Sequence, residues 1–233
     1  MNSIIRRPFK YSNDGAVYWL IGINVLIFAI FALFQGNFAR FLYERMPTVT
    51  LAIIRFLSFL YNRMPMIPLA VTQHGWVWTF VTYMFMHGSI THLLFNMFGL
   101  FIFGIQVERQ MGSKEFLLYY FVTGTLAGVL SFAAYYFTGN YVVALMGASG
   151  AIFAVELAYA VLFPDSVIYL WGILPLRAPV MVLGYTALEL FFSITGGRGN
   201  VAHLTHLAGF GFGWLYFLIR FGMNPWRRLT GRY

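Results

Sequence analysis

Six apolar segments with few charged residues follow one another along this chain, and most are long enough to form a helix across a lipid bilayer. A transmembrane helix needs roughly 20 apolar residues, and the segments hold between 15 and 22 residues each. They lie at 17–34, 92–107, 116–137, 142–163, 180–194 and 201–221. Charged residues make up 9% of the 233 residues, whereas an average soluble domain has about a quarter. The sequence therefore predicts an all-α polytopic membrane protein of one domain, surrounded by the lipid bilayer.

The connection between the first two segments, residues 35–91, is long and mixed in character. Within it, residues 48–61 are apolar but short for a crossing, and they carry Arg55 between Pro47 and Pro65. That length favours a helix at the membrane interface over a transmembrane helix. The alternative, a crossing at 48–61, would invert every later loop.

The positive charges lie at the ends of the apolar segments, which favours membrane anchoring over a nucleic-acid partner. The net charge is +8, and no cysteine is present for disulfide or thiol chemistry. Six crossings place both termini on one side, where ten basic residues gather: Arg6, Arg7, Lys10, Arg109, Lys114, Arg177, Arg220, Arg227, Arg228 and Arg232. The short loop on the opposite side has only Arg198. Residues 1–16 are therefore predicted as a cytoplasmic segment, 17–221 as the six-span domain and 222–233 as a basic cytoplasmic tail.

Four polar side chains inside the apolar segments suggest chemistry. A polar group in a membrane span costs free energy, so its presence there indicates a function. Ser149, between the small residues Gly147 and Gly150, is the candidate nucleophile, although serine also packs transmembrane helices together. A serine hydroxyl needs a base, and His206 can supply one. His92 and Asn96, one helical turn apart, could donate to an oxyanion together with the Ser149 backbone amide.

These residues stand in three motifs that resemble the rhomboid family of intramembrane serine proteases. The motifs are His-x-x-x-Asn at 92–96, Gly-x-Ser-Gly at 147–150 and His-x-x-His-x-x-Gly-x-x-x-Gly at 203–213. The resemblance implies a six-span bundle with a membrane-embedded first loop and a Ser149–His206 dyad in a water-filled cavity. It also implies an endopeptidase that hydrolyses peptide bonds in or next to the transmembrane segments of substrate proteins, without cofactor or metal. The expected location is the bacterial inner (plasma) membrane.

The resemblance also assigns supporting residues and shows three departures from the family pattern, one of which is a first loop longer than in compact members. Gly209 and Gly213 correspond to the family's close-packing glycines, and Glu108-Arg109 resembles a polar motif at a cytoplasmic turn. Phe153 stands where some members have a tyrosine that stacks on the catalytic histidine. Trp78-Thr79 stands where the family often has Trp-Arg. His87 is expected to form a hydrogen bond or retain water near the site.

Other interpretations of the same residues remain open at this stage. His203 and His206 could ligate haem or a metal, but no carboxylate or thiolate is evident beside them, so His203 is expected to make a structural hydrogen bond. Glu156 is expected to be a buried carboxyl group bonded to another helix, with a role in tuning the dyad as the alternative, and Glu189 is expected to make a packing or interface contact. A catalytically silent membrane-protein binding module is the alternative function. A transporter is disfavoured because the chain shows no internal repeat.

Overall fold

The computed structural model describes residues 9–34, 36–170, 172–195 and 200–231. Four basic residues on which the topology prediction draws, Arg6, Arg7, Arg198 and Arg232, lie outside the described residues.

The described residues form twelve α-helices, several of which join end to end. Their bounds are α1 Ala16–Leu33, α2 Asn37–Arg45, α3 Pro47–Tyr61, α4 Pro68–His74, α5 Thr79–Thr82, α6 Ile90–Gly99, α7 Ile105–Met111, α8 Ser113–Phe137, α9 Ser149–Leu162, α10 Ala178–Thr195, α11 Asn200–Tyr216 and α12 Pro225–Leu229. A π-helical stretch joins α6 to α7, and another continues α11 to Phe221. The all-α polytopic membrane fold is confirmed.

Four of these helices are long and apolar enough to cross a membrane: α1, the continuous helix Ile90–Met111, α8 and α10. Helix α11 with its continuation completes the outer helices and packs against α8 and α10. The predicted segments 17–34, 92–107, 116–137, 180–194 and 201–221 each match one of these helices to within four residues at either end.

Helix α9 stands in the middle of the bundle and is shorter than predicted. Ten of its fourteen residues are buried, and it packs against α8, α10 and α11. Fourteen residues span about 21 Å, less than the hydrocarbon core of about 30 Å. The prediction of a helix from residue 142 was wrong, because the backbone reaches Gly147 with φ +120°, which no helix contains. Ser149 is therefore the first residue of the helix.

The irregular backbone before α9 is paired with the first loop. Leu145 and Met66 exchange two backbone hydrogen bonds, of 2.8 and 3.2 Å, and the amide of Gly147 donates to the carbonyl of Tyr83 at 3.0 Å. Non-helical backbone within a bilayer is tolerated only where its polar groups are satisfied by protein or by a water-filled cavity. The first loop thus allows α9 to begin deep in the bundle.

The first loop also packs on α8 at two glycines. The hydroxyl of Tyr83 donates to the carbonyl of Gly124 at 2.7 Å. A Cβ on Gly128 would come within 2.7 Å of the Tyr83 ring, and one on Gly124 would overlap the Met84 sulfur. Small residues four apart let another segment approach a helix closely. These contacts hold residues 83–84 against the bundle and so fix the loop that supports residues 145–147.

A β-hairpin precedes α10, in a stretch from which no strand was predicted. Strand β1, Val167–Leu170, pairs antiparallel with β2, Leu174–Arg177. The turn uses Gly172 with φ +74°, a conformation open mainly to glycine. Strand β2 contains Pro175, which a two-stranded ribbon tolerates at a position facing away from its partner. Apolar strands between two apolar spans give no separate periodicity, so the sequence could not distinguish them from a loop.

Both ends of the described chain lie at the same end of the bundle. The amide of Ser113, at the start of α8, donates to the carbonyl of Ser12 at 2.7 Å. Arg220, near the end of the last spanning helix, pairs with Glu115 in the first turn of α8 at 2.7 Å. This arrangement agrees with an even number of crossings.

The N-terminus of α1 is capped by a carboxylate from a different helix. Gly15 has no side chain to cap α1, and the Glu108 carboxylate accepts from the amides of Ala16 and Val17 at 2.7 and 3.0 Å. Glu108 is buried. A negative charge at a helix N-terminus satisfies free amides and is favoured by the helix dipole.

We expect Glu108→Gln to lower the free energy of unfolding by about 2 kcal/mol, because it removes the negative charge and leaves one side-chain oxygen to accept where the carboxylate has two. Denaturant titration of the purified protein in micelles measures this change. Glu44→Gln makes the same substitution at an exposed position of α2 and serves as the control. Equal stability of the two variants would contradict the capping role.

Candidate active site

The candidate nucleophile and base lie within hydrogen-bond distance of each other. Ser149 Oγ, at the first residue of α9, is 2.8 Å from Nε2 of His206 in α11. Both side chains are partly buried. The two residues are 57 positions apart in sequence, so the packing of α9 on α11 brings them together. A hydroxyl beside an imidazole nitrogen at this distance can lose its proton to that nitrogen.

Glycines make the close packing of α9 and α11 possible. A Cβ on Gly209 would collide with the carbonyl oxygen of Gly150 in α9. One turn further on, a Cβ on Gly213 would lie 2.5 Å from the Tyr119 hydroxyl and 3.2 Å from the Ala154 Cβ. The two helices therefore touch backbone to backbone directly below the Ser149–His206 pair. Glycines in a membrane helix commonly serve this purpose.

The imidazole of His206 stacks on Phe153. Their ring centroids are 4.2 Å apart and the rings are within 7° of parallel. Phe153 lies one turn after Ser149 on the same helix, so α9 supplies both the hydroxyl and a flat surface for the ring. The stacking keeps the imidazole ring in one orientation, in which Nε2 is directed at Ser149 Oγ. The phenylalanine makes this contact without a hydroxyl group.

His92 of α6 approaches the same site, and Asn96 lies one turn further along that helix. The His92 ring would lie 2.7 Å from a Cβ placed on Gly147, and Ser149 Oγ would lie 3.8 Å from that same Cβ. Gly147 is therefore the residue that leaves room for the His92 ring. Asn96 is buried and its Nδ2 donates to the His92 carbonyl at 2.8 Å. A side-chain amide carries two hydrogens, so Asn96 keeps a second one to donate.

His87 lies beside the site in the turn before α6, outside the spanning helices. Its side chain is buried, and neither ring nitrogen makes a hydrogen bond within the described residues. Its ring centroid is 5.1 Å from that of His92. Burial, with the neighbouring His92 adding to it, lowers the pKa of His87 from 6.5 to about 4. The imidazole is therefore neutral in the folded protein at neutral pH.

Acidification should destabilise the protein through His87. The pKa of His87 is lower in the folded protein than its value of about 6.5 in the unfolded chain, so unfolding takes up a proton between these two values. The free energy of unfolding therefore falls as the pH is lowered from about 6.5 towards 4. We expect unfolding titrations at pH 7 and 5 to differ less in His87→Gln than in the wild type. His74→Gln, at an exposed histidine of α4, should retain the wild-type difference, and a wild-type difference in His87→Gln would contradict the prediction.

Glu189 of α10 lies beside the two histidines of α11, where a packing or interface contact was expected. Its Oε2 is 2.7 Å from Nδ1 of His203 and 3.1 Å from Nδ1 of His206. The structure corrects the expectation that no carboxylate accompanies these imidazoles, which was the ground for setting a metal site aside. One ligand atom from each of the three residues lies within 4.8 Å of the others, close enough in principle for a metal ion.

The position of Glu189 could have been derived from the sequence. Glu189 precedes residue 196 by seven positions, and His206 follows residue 199 by seven positions. In two antiparallel helices joined by a short connection, residues equally distant from that connection lie at the same height. The missed signal was that Glu189 is an ionisable residue in a span and lies at the same height as His206, the candidate base.

Glu156 is the acidic residue of α9. It is buried, and its Oε2 makes no hydrogen bond within the described residues. Its Oε1 lies near Gly99, 3.8 Å from where a Cβ would stand. The structure therefore places the expected buried carboxyl group against α6, and it gives Oε2 no bonding partner among the described residues.

A family model for the Rhomboid domain matches residues 74–223 of this chain, a stretch that includes Ser149, His206, His92 and Asn96. The chain belongs to the rhomboid family. The matched part begins in α4, so α1 to α3 lie outside it.

Individual relatives place the chain among rhomboid proteins of bacteria and plants. It is 33% identical over 138 residues to the rhomboid protease GlpG of Haemophilus influenzae, covering 58% of this chain and 67% of that protein. It is 32% identical over 134 residues to the putative rhomboid protease YdcA of Bacillus subtilis, covering 57% and 63%. It is 30% identical over 155 residues to the mitochondrial RHOMBOID-like protein 12 of Arabidopsis thaliana, covering 59% and 44%. The matches span about half to two thirds of the relatives' lengths.

The departure from the rhomboid Trp-Arg pattern lies in the first loop. Here Trp78 is followed by Thr79, and the indole Nε1 donates to the Arg63 carbonyl at 3.0 Å. The guanidinium of Arg63 lies over the Trp76 ring, 4.9 Å from its centroid. An arginine thus contacts the tryptophans of this rhomboid loop from another position in the sequence. This loop is the one that pairs with the backbone before α9.

Proposed function

We propose that this rhomboid is an intramembrane serine endopeptidase in which Ser149 is the nucleophile and His206 the general base. The observation that carries the proposal is the 2.8 Å contact between Ser149 Oγ and His206 Nε2. It lies at the end of a short helix inside the bundle, where a lone hydroxyl and imidazole would otherwise be unfavourable. The relatives that are named rhomboid proteases support the same reaction class.

The reaction proceeds through an acyl-enzyme. Ser149 Oγ attacks the carbonyl carbon of the scissile peptide while its proton passes to His206 Nε2. The tetrahedral intermediate collapses as the C–N bond breaks and His206 returns the proton to the leaving amine. A water molecule then attacks the ester, again through His206, which releases the new carboxyl terminus and restores Ser149. This sequence needs no cofactor.

The oxyanion of the tetrahedral intermediate would be held by His92, Asn96 and the Ser149 backbone amide. The His92 ring stands next to Gly147, and Asn96, one turn further along α6, has a second amide hydrogen to donate. The Ser149 amide is at the N-terminus of α9, where amides have no partner within the helix. Each hydrogen-bond donor that is already in position before the reaction typically increases the rate by about 10² to 10³.

The substrates are proposed to be transmembrane proteins, and both termini to face the cytoplasm. Ser149 lies below the end of the bundle that holds the first loop, so a scissile bond must reach it from the bilayer or from that surface. The basic residues of the opposite end include Lys10, Arg109 and Lys114, and the positive-inside rule assigns that end to the cytoplasm. Location in the bacterial inner membrane stays a prediction.

Cleavage of a membrane-embedded reporter by the purified protein in liposomes tests the proposal. A panel of transmembrane reporters with small residues at the cleavage site should include one that the wild type cleaves. A fluorophosphonate probe, which reacts with activated serines, should label Ser149 of the folded protein. Failure of both reactions in folded protein would contradict the proposal and favour the alternative, a catalytically silent membrane-protein binding module.

A further inference from the structure

A carboxylate stands on the side of His206 that faces away from the nucleophile. Glu189 Oε2 is 3.1 Å from Nδ1 of His206, while Nε2 of the same ring is 2.8 Å from Ser149 Oγ. The Glu189 side chain is 15% exposed. Ser149 of α9 thus contacts His206 of α11, and His206 contacts Glu189 of α10.

An imidazole that accepts a proton at Nε2 must carry its own proton on Nδ1. A carboxylate near Nδ1 favours that tautomer and stabilises the imidazolium that forms when the serine is deprotonated. We propose that Glu189 is a positioning residue of the candidate active site, which holds His206 in the tautomer and orientation that Ser149 requires. This inference rests on the proposed function and extends the dyad by a third group.

The carboxylate of Glu189 is shared between His206 and His203. The 3.1 Å contact is short enough for a hydrogen bond, but Nδ1 of His206 lacks one in the structure. The same oxygen is bonded to Nδ1 of His203 at 2.7 Å. Such contacts in a resting enzyme are often poorly aligned and improve when substrate binds. Positive charge on His206 would draw the carboxylate towards it.

His203 is the second histidine that contacts the Glu189 carboxylate. Its ring is 30% exposed and stacks against Phe192 of α10, with centroids 5.5 Å apart. It therefore anchors the Glu189 carboxylate and joins α10 to α11 without contacting Ser149. If Glu189 served only to join the two helices, its removal would lower stability without changing which ring nitrogen of His206 carries the proton.

The experiment measures reporter cleavage in liposomes, with a metal chelator present, for the wild type, Ser149→Ala, Glu189→Gln and Glu44→Gln. We expect Glu189→Gln to lower kcat by about 10- to 100-fold with KM nearly unchanged, since general acid–base catalysis as a whole contributes about 10² to 10⁴. Glu44→Gln makes the same substitution at an exposed position of α2 and should keep the wild-type kcat. An unchanged kcat in Glu189→Gln, or an equal fall in Glu44→Gln, would overturn the positioning role.

A spectroscopic measurement keeps this inference separate from the proposed function. Nitrogen-15 NMR of histidine-labelled protein identifies which ring nitrogen of His206 carries the proton, and His206→Gln assigns the signal. We expect the proton on Nδ1 in the wild type and a mixture of tautomers in Glu189→Gln. A wild-type ring protonated on Nε2 would overturn the inference, whether or not a reporter is cleaved. Cleavage abolished by Ser149→Ala but unaffected by Glu189→Gln would leave the proposed function intact.

Discussion

Ser149→Ala and His206→Ala should each lower the rate of reporter cleavage by about 10⁴- to 10⁶-fold, the loss typical of removing one member of a serine–histidine pair. Without the hydroxyl there is no atom to form the acyl-enzyme. Without the imidazole the Ser149 proton has no acceptor at the 2.8 Å position that Nε2 occupies. The double variant should be no slower than either single variant, because the two groups act in one step.

Folding controls are needed for this result, and the chain offers matched ones. Ser58→Ala and His74→Ala make the same substitutions at exposed positions of α3 and α4, and both should keep wild-type rates. Both dyad side chains are only partly buried, so their removal should change stability by less than about 1 kcal/mol. Cleavage that persists in stable Ser149→Ala protein would contradict the serine mechanism.

The residues of the candidate site could be predicted from the sequence because each is anomalous in its segment. Ser149 stands among residues with almost no side chain, and His206 stands in a span where an imidazole is unfavourable. The structure brings both together. Glu189 is equally anomalous, but its own segment does not indicate which residues of the next segment it contacts. A pairing of α10 with α11 was needed to bring Glu189 to the height of His206.

The start of α9 shows why part of the fold could not be predicted. Hydrophobicity identifies residues 142–148 as part of a span, since these residues are apolar or small. Their backbone is nevertheless irregular, because Leu145 pairs with Met66 of the first loop. That pairing joins residues about 80 positions apart and leaves no local pattern in the sequence. The long first loop, which had only mixed character as a sequence, is therefore the partner that allows Ser149 to lie inside the bundle.

The contact between α9 and α11 is the part of this architecture that a single methyl group should disrupt. A Cβ on Gly209 would collide with the Gly150 carbonyl oxygen, and a backbone atom cannot rotate aside as a side chain can. The helices must separate, and the separation increases the distance between Ser149 and His206. We expect Gly209→Ala to lower the free energy of unfolding by about 3 kcal/mol, the upper part of the range for overpacked interiors. A displacement of about 1 Å between reacting groups can reduce the rate by about 10².

Gly211 provides the control in the same helix. A Cβ on Gly211 would meet nothing within 4 Å, so Gly211→Ala adds the same methyl group to the same helix without a collision. Alanine is favoured over glycine inside a helix by about 0.5 to 1 kcal/mol, and Gly211→Ala should therefore be as stable as the wild type or slightly more so. Denaturant titration and reporter cleavage measure the two effects on one preparation. Gly209→Ala protein as stable and active as Gly211→Ala would mean that α9 and α11 tolerate separation, and that the dyad does not depend on their backbone contact.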